Sequence, residues 1–211
     1  MLKELLLPKH SLNSRANPER LQILPRDFYS HNPATVAEDL LGKTLVRRLD
    51  SEVIVGRIVE TEAYFGIKDP ASRAHIGRKT HNEPMFLESG RTFIYMVHAN
   101  WLLNIVAHPN GSVGGVLLRA VEPLQGIEIM LRNRRVRDIR DLTNGPGKLA
   151  TAFAVTKALK GVDVTDEKSQ LVIMGGAKNQ FEIESSHRIG VTADLPQKLR
   201  FYVKGNMFIS R

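Results

Sequence analysis

The run Val53-Ile54-Val55-Gly56-Arg57-Ile58-Val59-Glu60-Thr61-Glu62-Ala63-Tyr64-Phe65 is rich in valine and isoleucine and reads as one long β-strand. Residues 44–49 have the same character and are separated from it by an Asp50-Ser51 turn. Downstream, strands are expected at 92–97 and 102–107, and Pro109-Asn110-Gly111 turns the chain into another at 115–121, since Asn-Gly is a hairpin signal. Late strands are expected at 171–174, 187–191 and 199–203. Between these groups lie helical stretches. Asn32 caps a short helix with Pro33 at its first position, an apolar stripe at Val36, Leu40 and Leu41, and Gly42 as its stop. Further helices are expected at 124–133 and, after Gly145-Pro146, at 148–158. The pattern predicts an α+β single domain with a curved, largely antiparallel β-sheet flanked by helices.

Side chains alternate faces along a strand, so Glu60, Glu62 and Tyr64 share one face while Val59, Thr61 and Ala63 share the other. Two carboxylates and a phenol therefore meet at one end of an apolar strand. Acids at the wet end of a strand are the ordinary explanation. A pair of catalytic carboxylates, as in a carbohydrate glycosidase, is the chemical one.

The chain has 211 residues, 42% of them hydrophobic, which is enough for one sizeable core. Thirty Lys and Arg against 22 Asp and Glu give a formal charge of +8, favouring a polyanionic partner, nucleic acid first and an acidic membrane surface second. There is no cysteine, which excludes disulfides, thiolate metal sites and a cysteine nucleophile. The histidines form no helical His-x-x-x-His pair, so no metal is expected. No run of about 20 apolar residues is present, and the opening Met1-Leu2-Lys3-Glu4-Leu5-Leu6-Leu7-Pro8 is too short and too early broken for a signal peptide. The expectation is a soluble, intracellular protein with no membrane association.

The string Val59-Glu60-Thr61-Glu62-Ala63-Tyr64-Phe65-Gly66 is followed in order by three further blocks: Phe93-Ile94-Tyr95, then Val116-Leu117-Leu118-Arg119-Ala120-Val121-Glu122-Pro123-Leu124, then Asn144-Gly145-Pro146-Gly147-Lys148-Leu149. With Arg200-Phe201-Tyr202-Val203-Lys204-Gly205 near the end, this set closely resembles the signature of the alkyladenine (3-methyladenine) DNA glycosylase family. The resemblance covers residues 24–211, read as the glycosylase domain, with residues 1–23 as a flexible basic arm. It implies a monofunctional enzyme without cofactor, acting as a monomer on damaged double-stranded DNA. Such an enzyme removes alkylated, and in some cases deaminated, purines by base flipping and water attack on the N-glycosidic bond.

Carried onto this sequence, the resemblance implies that Glu62 is the general base and Arg119 its charged neighbour. Tyr64 and Tyr95 would sandwich the extruded base, and aromatic faces suit a cationic purine. Asn104 aligns, across a gap, with an asparagine at the pocket floor. Arg73 stands where the family has a base-stacking histidine, and His75 is the competing candidate for that role. His98 replaces the tyrosine that wedges into the vacated stack, in an interval one residue short. Lys148, Arg134, Arg135 and Arg137 are candidates for phosphate contacts, with a solvated helix face as the alternative for the arginines. Gly145-Pro146-Gly147-Lys148 is no nucleotide-triphosphate loop, because Leu149 stands where Ser or Thr would bind magnesium. A non-catalytic basic module that binds nucleic acid would retain the same charge but has no use for Glu62.

Overall fold

The computed structural model describes residues 22–175 and 181–210. The basic arm expected at 1–23 lies outside the described residues except for Gln22 and Ile23, of which Ile23 forms a β-bridge with Met174.

Among the described residues, eight strands form one curved sheet in which every pairing is antiparallel: β1 (Thr44–Leu49), β2 (Glu52–Phe65), β3 (Thr92–Val97), β4 (Asn100–Val106), β5 (Gly114–Gln125), β6 (Leu171–Met174), β7 (Ile183–Ser186) and β8 (Arg200–Val203). Four short α-helices among the described residues accompany it: α1 (Arg26–Tyr29), α2 (Pro33–Asp39), α3 (Ile127–Arg134) and α4 (Pro146–Ala152). The strand order is β3-β4-β5-β2-β1-β6. β2 is the spine of the sheet: β5 runs along one edge, while the other edge is shared by β1 at residues 52–57 and β8 at residues 60–62.

The buried face of β2 and β5 packs Ile58, Ala63, Leu118 and Val121 against Val36, Ala37 and Leu40 of α2 and against Leu149 and Phe153 at α4. Gly56 is required there, because a Cβ would come within 3.0 Å of the Phe153 ring and 2.9 Å of Val121. Thr61, also on this face, donates its hydroxyl to the Ala37 carbonyl at 2.7 Å. Glu60, Glu62 and Tyr64 accordingly point the other way.

The ladder between β2 and β5 slips twice beside these acids. Ile58 pairs with Val121, Glu60 with Ala120 and Thr61 with Leu118, leaving Val59 extra on β2 and Arg119 extra on β5. Such a bulge re-aims a side chain and sharpens the local twist. It brings Arg119 onto the carboxylate face.

Several boundaries differ from the sequence expectation. β5 continues past Pro123 to Gln125, so the helix expected from residue 124 begins only at Ile127, after Gly126 with φ 75°. The helix expected over 148–158 ends at Ala152, because Ala154 takes a left-handed φ of 49°; a separate 3-10 turn, Lys157–Leu159, follows, capped by Thr156. β4 begins at Asn100, so β3 and β4 are joined only by His98 and Ala99, with φ 46° and 61°. Residues 187–191 are a loop, and the strand lies just before them at Ile183–Ser186. The α2 cap is as expected: the Asn32 side chain accepts from Ala34 N at 2.9 Å, and Gly42 has φ 79°.

Candidate active site

The bulged ends of β2 and β5 form the floor of an open cleft of about 640 Å³. Its walls are the loop after β2, the β3–β4 hairpin, the first residues of α4 and the 187–195 loop. Gly147 lets α4 come this close, since a Cβ there would lie 2.9 Å from Asn100 Cβ. Tyr64, Arg73, His75, Tyr95, His98 and Arg119 all line the cleft.

Glu62 lies beneath the floor, in contact with the lining residues Tyr64 and Arg119, and has no exposed surface. Its Oε1 meets Arg119 Nη1 at 3.0 Å and accepts from Ile189 N at 2.7 Å, and its Oε2 accepts from the Tyr64 hydroxyl at 2.8 Å. Three donors thus converge on one carboxylate, and each oxygen can accept about two hydrogen bonds, so Oε2 retains an acceptor site.

Glu60, also fully buried, is closed off differently. Its Oε1 accepts from Arg119 Nε at 2.8 Å, Arg200 Nε at 2.7 Å and the Ser210 hydroxyl at 2.6 Å, and its Oε2 accepts from Ser210 N at 2.5 Å. A carboxylate so occupied, sharing one arginine with Glu62, cannot stand across a sugar from it as a glycosidase pair requires. Burial acts to discharge the Arg119 guanidinium, but Glu62 and Glu60 more than offset it and push its pKa above the ordinary value. Arg119 therefore stays cationic while bridging two acids.

The two tyrosines carry cations of their own. Arg188 lies against Tyr64, with its guanidinium carbon 4.6 Å from the ring centre. It grips Asp69 through both terminal nitrogens at 2.7 and 2.8 Å and Asp194 at 2.6 Å, and it donates to the Ala63 carbonyl at 3.0 Å. Arg73 lies over Tyr95 at 4.7 Å. Burial, followed by the nearby Glu62 charge, pushes the Tyr64 phenol well above its ordinary range, so it is a neutral donor. Burial also raises Tyr95, with Arg73 opposing.

Between the two candidates for the histidine position, Arg73 is the one on the aromatic platform. His75 sits at the exposed rim with Nδ1 2.7 Å from the Ile67 carbonyl oxygen. Asn104 does not line the main cleft. It lies beneath it, buried, donating to the Phe93 carbonyl at 3.1 Å and bordering a small void that Tyr64, Arg73 and Tyr95 also line. His98 is exposed at the tip of the β3–β4 hairpin. The phosphate candidates fall outside the cleft. Lys148 Nζ is held by Asn144 at 2.8 Å and Asp141 at 3.3 Å, and Arg134 donates to the Asp141 carbonyl at 3.2 Å. Arg135 terminates α3 with φ 53°, and Arg137 is exposed in the turn that follows.

Sequence reasoning missed Arg188, Ile189, Arg200 and Ser210, as well as the role of Asp69. Arg200 stands inside a stretch singled out on other grounds, but nothing in the local pattern of Arg200 or Asp69 names a partner more than a hundred residues away. Among the described residues, no group of three or more His, Asp or Glu side chains is placed to hold a metal ion, and no helix is long and apolar enough to cross a membrane.

The family model for methylpurine-DNA glycosylase matches residues 27–207. Among curated relatives, a protein from Koribacter versatilis is 39% identical over 93% of this chain and 97% of its own length. One from Mesorhizobium japonicum is 43% identical over 89% of each chain, and one from Aeropyrum pernix is 39% identical over 90% of this chain and 94% of its own. The words 3-methyladenine DNA glycosylase stand in the name of each.

Proposed function

The chain belongs to the methylpurine-DNA glycosylase family, and we propose that it excises alkylated and deaminated purines from duplex DNA with Glu62 as the general base. The observation that carries this reading is the Glu62–Arg119 pair, 3.0 Å apart, in which Arg119 lines a cleft walled by Tyr64 and Tyr95 and Glu62 lies directly beneath it.

A purine in a duplex hides its glycosidic bond, so the nucleotide rotates out into the cleft at a cost of a few kcal/mol. Stacking on tyrosine, worth about 1–3 kcal/mol per base by substitution, offsets that cost. A water held at the remaining acceptor position of Glu62 Oε2 adds to C1′ of the sugar and gives its proton to the carboxylate. The N-glycosidic bond breaks with its electron pair going to the base. A cationic purine then leaves as a neutral molecule without acid assistance, whereas a neutral purine requires a proton from elsewhere. Ile189 N and Arg119 orient the carboxylate, and Tyr64 couples its position to the base platform. The enzyme works as a monomer, inside the cell where its substrate lies, and opens an abasic site for base excision repair.

The test is incubation with methylated duplex DNA, with released bases read by chromatography and abasic sites by alkaline strand cleavage. Release of methylpurines with matching abasic sites supports the reading. Tight binding without release would leave a non-catalytic nucleic-acid module.

A further inference from the structure

The cations on the two tyrosines differ in how they are compensated. Arg188 is fully buried at its side chain and held by Asp69 and Asp194, so its charge is cancelled where it stands. Arg73 is exposed and forms no ion pair among the described residues. Its backbone is nevertheless built in. The buried Asn82 side chain donates to the Arg73 carbonyl at 2.7 Å, and the Ser72 hydroxyl accepts from the next amide, Ala74 N, at 3.1 Å. The loop thus presents an uncompensated guanidinium over Tyr95, at the platform where an extruded base would stack.

We propose that Arg73 is a specificity-determining residue: its guanidinium over Tyr95 disfavours a base that carries positive charge and favours a purine that offers a carbonyl oxygen and a ring nitrogen as acceptors. The inference rests on the glycosylase reading of the same cleft. Two cations competing for one aromatic face repel each other, and the partly wet cleft attenuates that repulsion without cancelling it. The sign of this charge effect is the same whether the guanidinium meets the face or the edge of the base. At the edge, its parallel N–H donors match O6 and N7 of a keto purine. Hypoxanthine keeps both acceptors and is neutral, whereas 7-methylguanine in DNA is cationic and has lost N7. Methylpurines remain substrates because their glycosidic bonds are intrinsically weak. Arg73 narrows the advantage this gives them.

The test is single-turnover excision from matched duplexes carrying 7-methylguanine or hypoxanthine, by the unaltered protein and by Arg73→Gln and Arg73→Lys. Glutamine removes the charge and lysine keeps it. The ratio of the 7-methylguanine rate to the hypoxanthine rate rises roughly tenfold in Arg73→Gln, the size of one charge contact in a partly solvated site, and rises less in Arg73→Lys, which keeps the charge but loses the parallel donors. An unchanged ratio in Arg73→Gln, or equal loss of both rates, would overturn the assignment while leaving the enzyme a glycosylase. Excision of neither base by the unaltered protein would overturn the glycosylase reading and this inference with it.

Discussion

Arg188 grips both carboxylate oxygens of Asp69 with neither side chain exposed, although the two residues are 119 positions apart in the chain. The pair ties the loop after β2 to the loop after β7, and it fixes Tyr64 and Ile189 N on opposite oxygens of Glu62. Removing Arg188 leaves the buried Asp69 charge without its cation, at a cost of about 3–5 kcal/mol, whereas removing Asp69 leaves Arg188 still paired with Asp194. Arg188→Met should therefore lower the urea midpoint by that equivalent and Asp69→Leu by less, and the double variant should lose less than the sum of the two. A double variant as unstable as the sum of the singles would show that the pair does not act as a unit.

Glu60 and Glu62 should separate by the property they affect. Glutamine at position 60 sets an NH₂ group against donors from Arg119, Arg200 and Ser210. Glu60→Gln should therefore cost stability, by about 2–4 kcal/mol, the range for a broken buried charge-assisted bond. Assayed well below its unfolding temperature, it should keep far more excision activity than Glu62→Gln. Comparable losses of excision in the two variants would place Glu60 in the chemistry.

DNA affinity should fall steeply with salt, because each phosphate contact contributes about 0.9 to the logarithmic slope. A second basic groove, of about 940 Å³, adjoins the cleft through Ile76 and His81 and is lined by Arg78, Lys79, Lys157 and Lys160. Replacing Lys157 and Lys160 together should flatten the slope by about 1–2. Replacing Arg134, Arg135 and Arg137, which stand outside the cleft, should flatten it less. The reverse order would assign DNA contact to the α3 cluster.

The β3–β4 hairpin turns on two non-glycine residues with positive φ, His98 at 46° and Ala99 at 61°. A left-handed alanine costs roughly 1–2 kcal/mol, so Ala99→Gly should raise unfolding stability by about 1 kcal/mol. If His98 fills the stack vacated by an extruded base, His98→Ala should slow excision from duplex DNA much more than from single strands. Equal slowing on both substrates would remove the wedge role.

The spine of the fold and one face of the site were legible because they depend on local rules. Alternation along β2 places Glu60, Glu62 and Tyr64 together, and the Asn32-Pro33 signal starts α2 where it begins. Residues 187–191 misled because His-Arg-Ile-Gly-Val has the composition of a strand. Its polar groups are instead satisfied by Asp69, Asp194 and Glu62, distant in sequence and invisible to periodicity. The bulge at Arg119 follows from how two strands pair, and no single residue announces it. The early end of α4 turns on a left-handed Ala154, for which the local sequence offers no glycine. Ser210 on Glu60 and Arg188 on Tyr64 belong to the same class of long-range contact.

Glu62→Gln tests the activation of water most directly. The amide keeps the shape of the side chain but cannot take the proton, so single-turnover release of 7-methylguanine from duplex DNA should fall by about 10²–10⁴-fold, the typical contribution of a positioned base. Affinity for the lesion-bearing duplex, measured on the same preparation, should stay within a few-fold of the unaltered protein. A Glu62→Gln variant that bound normally and retained most of its excision rate would contradict the assignment of Glu62 as the base.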